Sequence, residues 1–161
     1  MGTITRPWLV AAFLVALLAT PVLAACGGAD APEGTPVPTF TVSLLVHLNE
    51  DDERWFRDVE VSKGTNAYEF TELVTEGDMD ATWYPAYRTH FVDAIMGLKN
   101  ANPNFWLIYQ WSESQGQWEP LSVGADRFSL MDDDVLAWAY ADTTESKYHE
   151  KLTEPLPSGT Q

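Results

Sequence analysis

The hydrophobic pattern changes character three times along the chain. From Trp8 to Leu23 almost every position is apolar, with Pro7 before the run and Pro21 near its end. Residues Gly27 to Thr39 (GGADAPEGTPVPT) carry no hydrophobic period, and Gly, Ala and Pro dominate. Alternation begins at Phe40. Phe40, Val42, Leu44 and Val46 fall on one side and Thr41 and Ser43 on the other, which predicts a half-buried strand up to His47. Asn49-Glu50-Asp51-Asp52-Glu53 is a charged turn. Trp55 to Val61 predicts a second strand, with Trp55, Val59 and Val61 on one face, so the two make a hairpin.

Past Ser62-Lys63-Gly64 the period lengthens. Thr65 or Asn66 is placed to cap a helix, with Glu69 three residues after Asn66 to complete a capping box. Ala67, Phe70, Leu73 and Val74 share one helical face, and Gly77 ends it. Asp78 to Tyr87 reads as irregular and aromatic, and Thr89 to Ile95 as a strand. Phe105 to Trp111 is apolar on both faces and is therefore expected to lie centrally. Val135 to Ala141 is the last strand. The expected body is α+β and β-grasp-like, one helix packed on a mixed four- to five-stranded sheet over residues 40–141. Residues 142–161 read as a polar, disordered tail.

The N-terminal run is too short to span a bilayer comfortably, and Arg6 gives it a positive start. It ends in Leu23-Ala24-Ala25-Cys26, which resembles the lipobox of bacterial lipoproteins. The expectation is a signal peptide over 1–25, lipidation of Cys26, a lipid-anchored flexible linker over 26–39, and an extracytoplasmic domain held at the membrane. Each buried acyl CH₂ contributes about 0.8 kcal/mol to such an anchor. Cys26 is the chain's one cysteine, so no disulfide is available and the domain must be stable through packing.

Charge narrows the partners. The chain carries 24 acidic and 9 basic residues, a net charge of −15. That excludes nucleic acid, whose affinity depends on cations neutralising phosphates, and adsorption to anionic lipid by charge alone. His47, His90 and His149 have no metal-ligand spacing with one another, and no nucleophile elbow, zinc-binding Cys pair or Gly-rich phosphate loop is present. The reading is therefore not an enzyme, with no catalytic residues, no metal and no cofactor. Asp132-Asp133-Asp134 and Glu50 to Glu53 read as solvated turns.

The aromatic residues are the better lead. Six tryptophans lie beyond the leader, and large flat rings both fill a small core and support ring-shaped ligands. Trp106 and Trp138 sit on strands expected to be neighbours, while Tyr109, Trp111 and Trp118 gather near the end of the central strand. A single helix covers one sheet face and leaves the other to a loop, a ligand or a partner. Trp83-Tyr84-Pro85-Ala86-Tyr87 is the candidate covering loop. Trp106, Tyr109, Trp111, Trp118 and Trp138 are the candidate ligand-binding residues.

Several segments together carry a resemblance. They are Gly64-Thr65-Asn66-Ala67, Phe91-Val92-Asp93-Ala94-Ile95-Met96-Gly97-Leu98, Asn104 to Tyr109, Ser122-Val123-Gly124-Ala125-Asp126 and Leu130 to Tyr140. In order and spacing they resemble the transcobalamin-like C-terminal domain family, a small β-grasp module. The resemblance implies non-catalytic ligand binding, with cobalamin or another corrinoid as ligand. In the animal carriers this module closes over cobalamin held by a helical barrel, for which this chain has no room. The implied barrel-like half would come from a separate surface or periplasmic protein. Asp133 stands where the family's closing turn has Gly, and Leu107 where the carriers place a polar residue. The alternative is a structural or adhesive cell-surface module with no small ligand.

Overall fold

In the computed structural model, residues 36–156 are described. The expected signal peptide, Cys26, most of the linker and the last residues of the tail lie outside them. Strands β1 (Thr39–Asn49) and β2 (Asp52–Ser62) form the first antiparallel hairpin. Val42, Leu44, Leu45 and Val46 of β1 are all buried. A register shift follows Val42, where Asp58 takes a φ of 51° and its N–H donates to Ser43 Oγ at 3.0 Å.

Helix α1 (Ala67–Val74) starts at Asn66, whose Oδ1 accepts from Glu69 N at 2.9 Å while Glu69 Oε2 accepts from Asn66 N at 3.1 Å. This is the capping box that the sequence predicts. Six further strands follow: β3 (Met79–Tyr84), β4 (Thr89–Ile95), β5 (Leu98–Lys99), β6 (Asn104–Ser112), β7 (Gln117–Pro120) and β8 (Val135–Asp142). Short 3-10 turns occupy Ala125–Arg127 and Tyr148–Lys151.

The strands divide into two sheets. One has the order β2-β1-β8-β6-β7, the other β3-β4-β5. In the larger sheet β1 runs parallel to β8, and all other pairs are antiparallel. β8, not β6, is the middle strand.

The expected β-grasp-like α+β body, one helix on a single sheet, is thus corrected. The described chain is mostly β, with two sheets and one α-helix. The short strands β5 and β7 were not expected either, but the missed element that builds the second sheet with β4 is β3. Its apolar positions Met79 and Ala81 are only partly buried, and its outer end, Trp83 and Tyr84, is exposed on both sides. A strand held by backbone pairing to β4 rather than by an alternating buried face leaves little hydrophobic period to detect.

β8 shows how the larger sheet sorts its two faces. Leu136, Trp138 and Tyr140 enter the core beneath α1, together with Phe70, Val92, Ile95 and Trp106. Ala137, Ala139 and Ala141 face the other way. Those three alanines leave room for Tyr109, Trp118, Leu152 and Tyr148 on that second face. The C-terminal segment therefore covers the face that α1 does not. Leu152 is buried there, Tyr148 Oη donates to Tyr140 O at 2.9 Å, and Trp118 Nε1 donates to Thr153 O at 3.1 Å.

Candidate functional site

The five aromatic residues singled out from the sequence are split between the two faces of the larger sheet. Trp106 and Trp138 lie on adjacent strands beneath α1. Both are buried, and their indole N–H groups are bound, Trp106 to Leu98 O at 2.8 Å and Trp138 to Thr71 Oγ1 at 2.8 Å. Tyr109, Trp111 and Trp118 gather on the opposite face. Tyr109 and Trp118 are buried, and burial pushes the Tyr109 phenol above its ordinary range. Trp111 and Trp118 meet edge to face with ring centroids 5.4 Å apart. They line a cavity of about 230 Å³ with Gln117, His149 and Leu152, roofed by the C-terminal segment.

The exposed aromatic surface lies elsewhere, on the β3–β4 hairpin. Trp83, Tyr84, Tyr87 and Phe91 are 47%, 45%, 72% and 43% exposed. The backbone explains the grouping. Trp83 pairs with His90, Tyr84 with Thr89, and Thr82 with Phe91. The turn closes with Tyr87 N and Arg88 N both donating to Tyr84 O, at 3.1 and 2.9 Å, and Arg88 takes a φ of 53°. Tyr84 and Phe91 stand edge to face, centroids 6.2 Å apart. Tyr84, Tyr87, Thr89, His90 and Phe91 line one cavity of about 320 Å³.

His90 is the one ring in this group with a fixed polar partner. Its Nδ1 lies 2.6 Å from Asp126 Oδ1. The other oxygen of that carboxylate accepts from Thr89 Oγ1 at 2.7 Å and from His90 N at 2.6 Å. Partial burial raises the Asp126 pKa, but the bonds from His90 and Thr89 outweigh it, so the carboxyl is held below its ordinary value. An ionised carboxylate only accepts, which places the imidazole proton on Nδ1. Tyr68 of α1 stacks on the His90 ring at 4.4 Å and 15°, and Trp83 leans on it at 5.0 Å. The Tyr68 phenol is pushed up to about 12, first by burial and then by its bond to Glu72 at 3.0 Å.

Gly124 makes this arrangement sterically allowed. A Cβ built there would lie 2.1 Å from Thr89 Oγ1, so only glycine lets the 3-10 turn come close enough for Asp126 to reach β4. The Val123-Gly124-Ala125-Asp126 turn was visible in the sequence as a family-like segment. Its chemical role was not, because His90 and Asp126 are 36 residues apart and share no local motif.

His47 forms a second imidazole–carboxylate pair, Nδ1 to Glu53 Oε1 at 2.8 Å, but it is 1% exposed and its Nε2 is buried without a partner. The acidic turn before β8 is a structural tie. Asp132 Oδ1 accepts from Thr41 N at 2.8 Å, Asp134 Oδ2 accepts from Met131 N at 2.7 Å, and Asp133 takes the left-handed φ of 64° that glycine would adopt freely. Among the described residues no group of three or more His, Cys, Asp or Glu could hold a metal ion.

No family model matches the sequence, and no curated protein does. Among solved structures the chain is similar to haptocorrin, a transcobalamin-like protein, in complex with Cbi (cobinamide). The TM-score is 0.52 and the identity 16%, over 66% of this chain and 26% of the haptocorrin chain. A candidate metal-binding protein from Ruminococcus gnavus is also similar, with TM-score 0.48 and 16% identity over 64% of this chain and 97% of that one. At 16% identity what the likeness to haptocorrin shows is the fold alone, and the chain spans 26% of the haptocorrin length.

Proposed function

We propose that this chain is an extracytoplasmic lipoprotein, anchored through Cys26, whose domain binds a flat ring ligand without catalysis. The ligand class is a corrinoid, shared with a second protein that covers its other side. The observation that carries the reading is the set of exposed rings on the β3–β4 hairpin around a cavity of about 320 Å³. Exposed aromatic side chains grouped at one concave place are what a binding site for an apolar, planar surface requires. The cavity takes an edge of such a ring and does not enclose it, which fits a second covering protein. The likeness to haptocorrin supports the corrinoid class.

The test is titration of the full-length chain with cobinamide and with cobalamin while following tryptophan fluorescence. Saturable quenching in the range of about tens of micromolar or below, weakened about tenfold by Tyr87→Ala, supports the reading. No saturable change removes it.

The burial of Trp106, Tyr109, Trp118 and Trp138 favours a second reading, a structural or adhesive surface module whose aromatics only build core. That reading expects no corrinoid response and a protein partner whose capture depends on the hairpin.

A further inference from the structure

We propose that Arg88 and Arg127 form a binding site for a small tetrahedral oxyanion of the phosphate class. The proposal does not rest on the corrinoid reading.

The charge pattern singles out these two residues. Acidic residues outnumber basic ones 24 to 9, so a cation on this surface readily meets a carboxylate. The other described cations sit against carboxylates, as Lys151 does against Glu145 at 2.8 Å, or over rings, as Arg57 does over Trp55 at 4.0 Å. The guanidinium groups of Arg88 and Arg127 make neither contact among the described residues. Both side chains are exposed, and both line one cavity of about 420 Å³.

The fold holds the pair together. Arg88 precedes Thr89 and Arg127 follows Asp126. Thr89 Oγ1 and His90 N both donate to Asp126 Oδ2, at 2.7 and 2.6 Å, which ties the end of the β3–β4 hairpin to the 3-10 turn. The two arginine stems start from fixed points, since Arg88 N donates to Tyr84 O and Arg127 N to Gly124 O, each at 2.9 Å. Asp126 is the acid next to Arg127 in sequence, but both its oxygens are engaged by β4, Oδ1 with the His90 ring. The same bonds that join the two elements leave the guanidinium groups unpaired.

The donor chemistry selects the ligand. A guanidinium is planar, always charged, and presents paired N–H groups that match two oxygens of a carboxylate or a phosphate. One such fork satisfies a carboxylate. Two forks on one cavity bring two positive charges and match a tetrahedral dianion. The net charge of −15 repels an extended polyanion, so the ligand is compact, either free phosphate or a small phosphate monoester.

The experiment is titration of the full-length ¹⁵N-labelled chain with inorganic phosphate at fixed ionic strength, chloride being the balancing anion. The arginine Nε–Hε resonances are followed. The expected result is a saturable shift of Arg88 and Arg127 together, with a Kd of about 1 mM or below, while Arg57 stays still. Acetate should bind about tenfold more weakly, because it fills one fork. A parallel arm with glycerol 3-phosphate separates the sources, tighter binding than phosphate indicating an ester and weaker binding the free ion. Arg88→Gln should weaken phosphate about tenfold, and Arg127→Lys, which keeps the charge and loses the fork, by roughly threefold or more. A shift that does not saturate, a shift of one arginine alone, an equal response to acetate, or unchanged affinity in both variants overturns the proposal. These outcomes are independent of the cobinamide titration.

Discussion

Trp138 Nε1 donates to Thr71 Oγ1 at 2.8 Å, and the same hydroxyl donates to Ala67 O at 2.7 Å. One threonine thus joins the middle strand of the larger sheet to the helix above it, with every atom involved buried. Thr71→Val keeps the shape and removes the acceptor, leaving a buried indole N–H unpaired. The expected loss is about 1–3 kcal/mol in urea unfolding, with the fold retained.

Gly124→Ala should act on the hairpin from a distance. The added methyl meets Thr89, so the 3-10 turn must withdraw and the bonds from Thr89 and His90 to Asp126 lengthen or break. The expected cost is about 1–3 kcal/mol, with a change in the His90 imidazole resonances that a surface Gly→Ala change elsewhere would not produce. Unaltered His90 resonances would show that the turn does not hold Asp126 in place.

Leu152→Ala tests whether the C-terminal segment is a working part of the domain. Leu152 is buried on the second sheet face with Tyr109 and Trp118, so truncation should cost about 2–3 kcal/mol and raise the binding of an apolar dye. A stability change within about 0.5 kcal/mol would mean the segment lies loosely on the sheet.

Glu53 gives the same segment a pH dependence. Burial raises its pKa, but the bond from Thr153 Oγ1 at 2.7 Å and the bond to His47 outweigh burial, so the carboxyl titrates below its ordinary value of 4.5. A lowered folded-state pKa contributes stability that is complete above 4.5 and is lost as pH falls through the folded value. Urea midpoints measured from about pH 7 down to about pH 3 should fall less steeply in Glu53→Gln than in the unaltered chain. Parallel curves would contradict the linkage.

The parts of the fold that were legible in the sequence are those with a clean period. β1 puts its alternating Val42, Leu44 and Val46 into the core beneath α1, although Leu45 and His47 are buried as well and the strand is not half-buried there. α1 opens with a box of two local side chains, and the strands around Trp106 and Trp138 are apolar enough to announce themselves. β3 was hidden because Trp83 and Tyr84 make no inward stripe. The segment after Asp142 looked like a tail because its anchoring depends on Leu152, Tyr148 and one carbonyl, scattered among polar residues. The aromatic residues led to Trp106, Tyr109, Trp111, Trp118 and Trp138 as candidate ligand-binding residues and to Trp83–Tyr87 as a covering loop, whereas Trp106, Tyr109, Trp118 and Trp138 are buried and Trp83, Tyr84 and Tyr87 are exposed. Core tryptophans and surface ones have the same letter, and only the sheet pairing puts Trp138 inside and Tyr87 outside. The His90–Asp126 pair needs a contact across 36 residues that no local spacing encodes.

The most direct test of the account is a map of backbone amide shifts as cobinamide is added to the ¹⁵N-labelled chain. The account predicts saturable shifts concentrated in residues 82–92 and 124–127. Shifts confined to the cavity around Trp111, Trp118 and His149, or none at all, would contradict it.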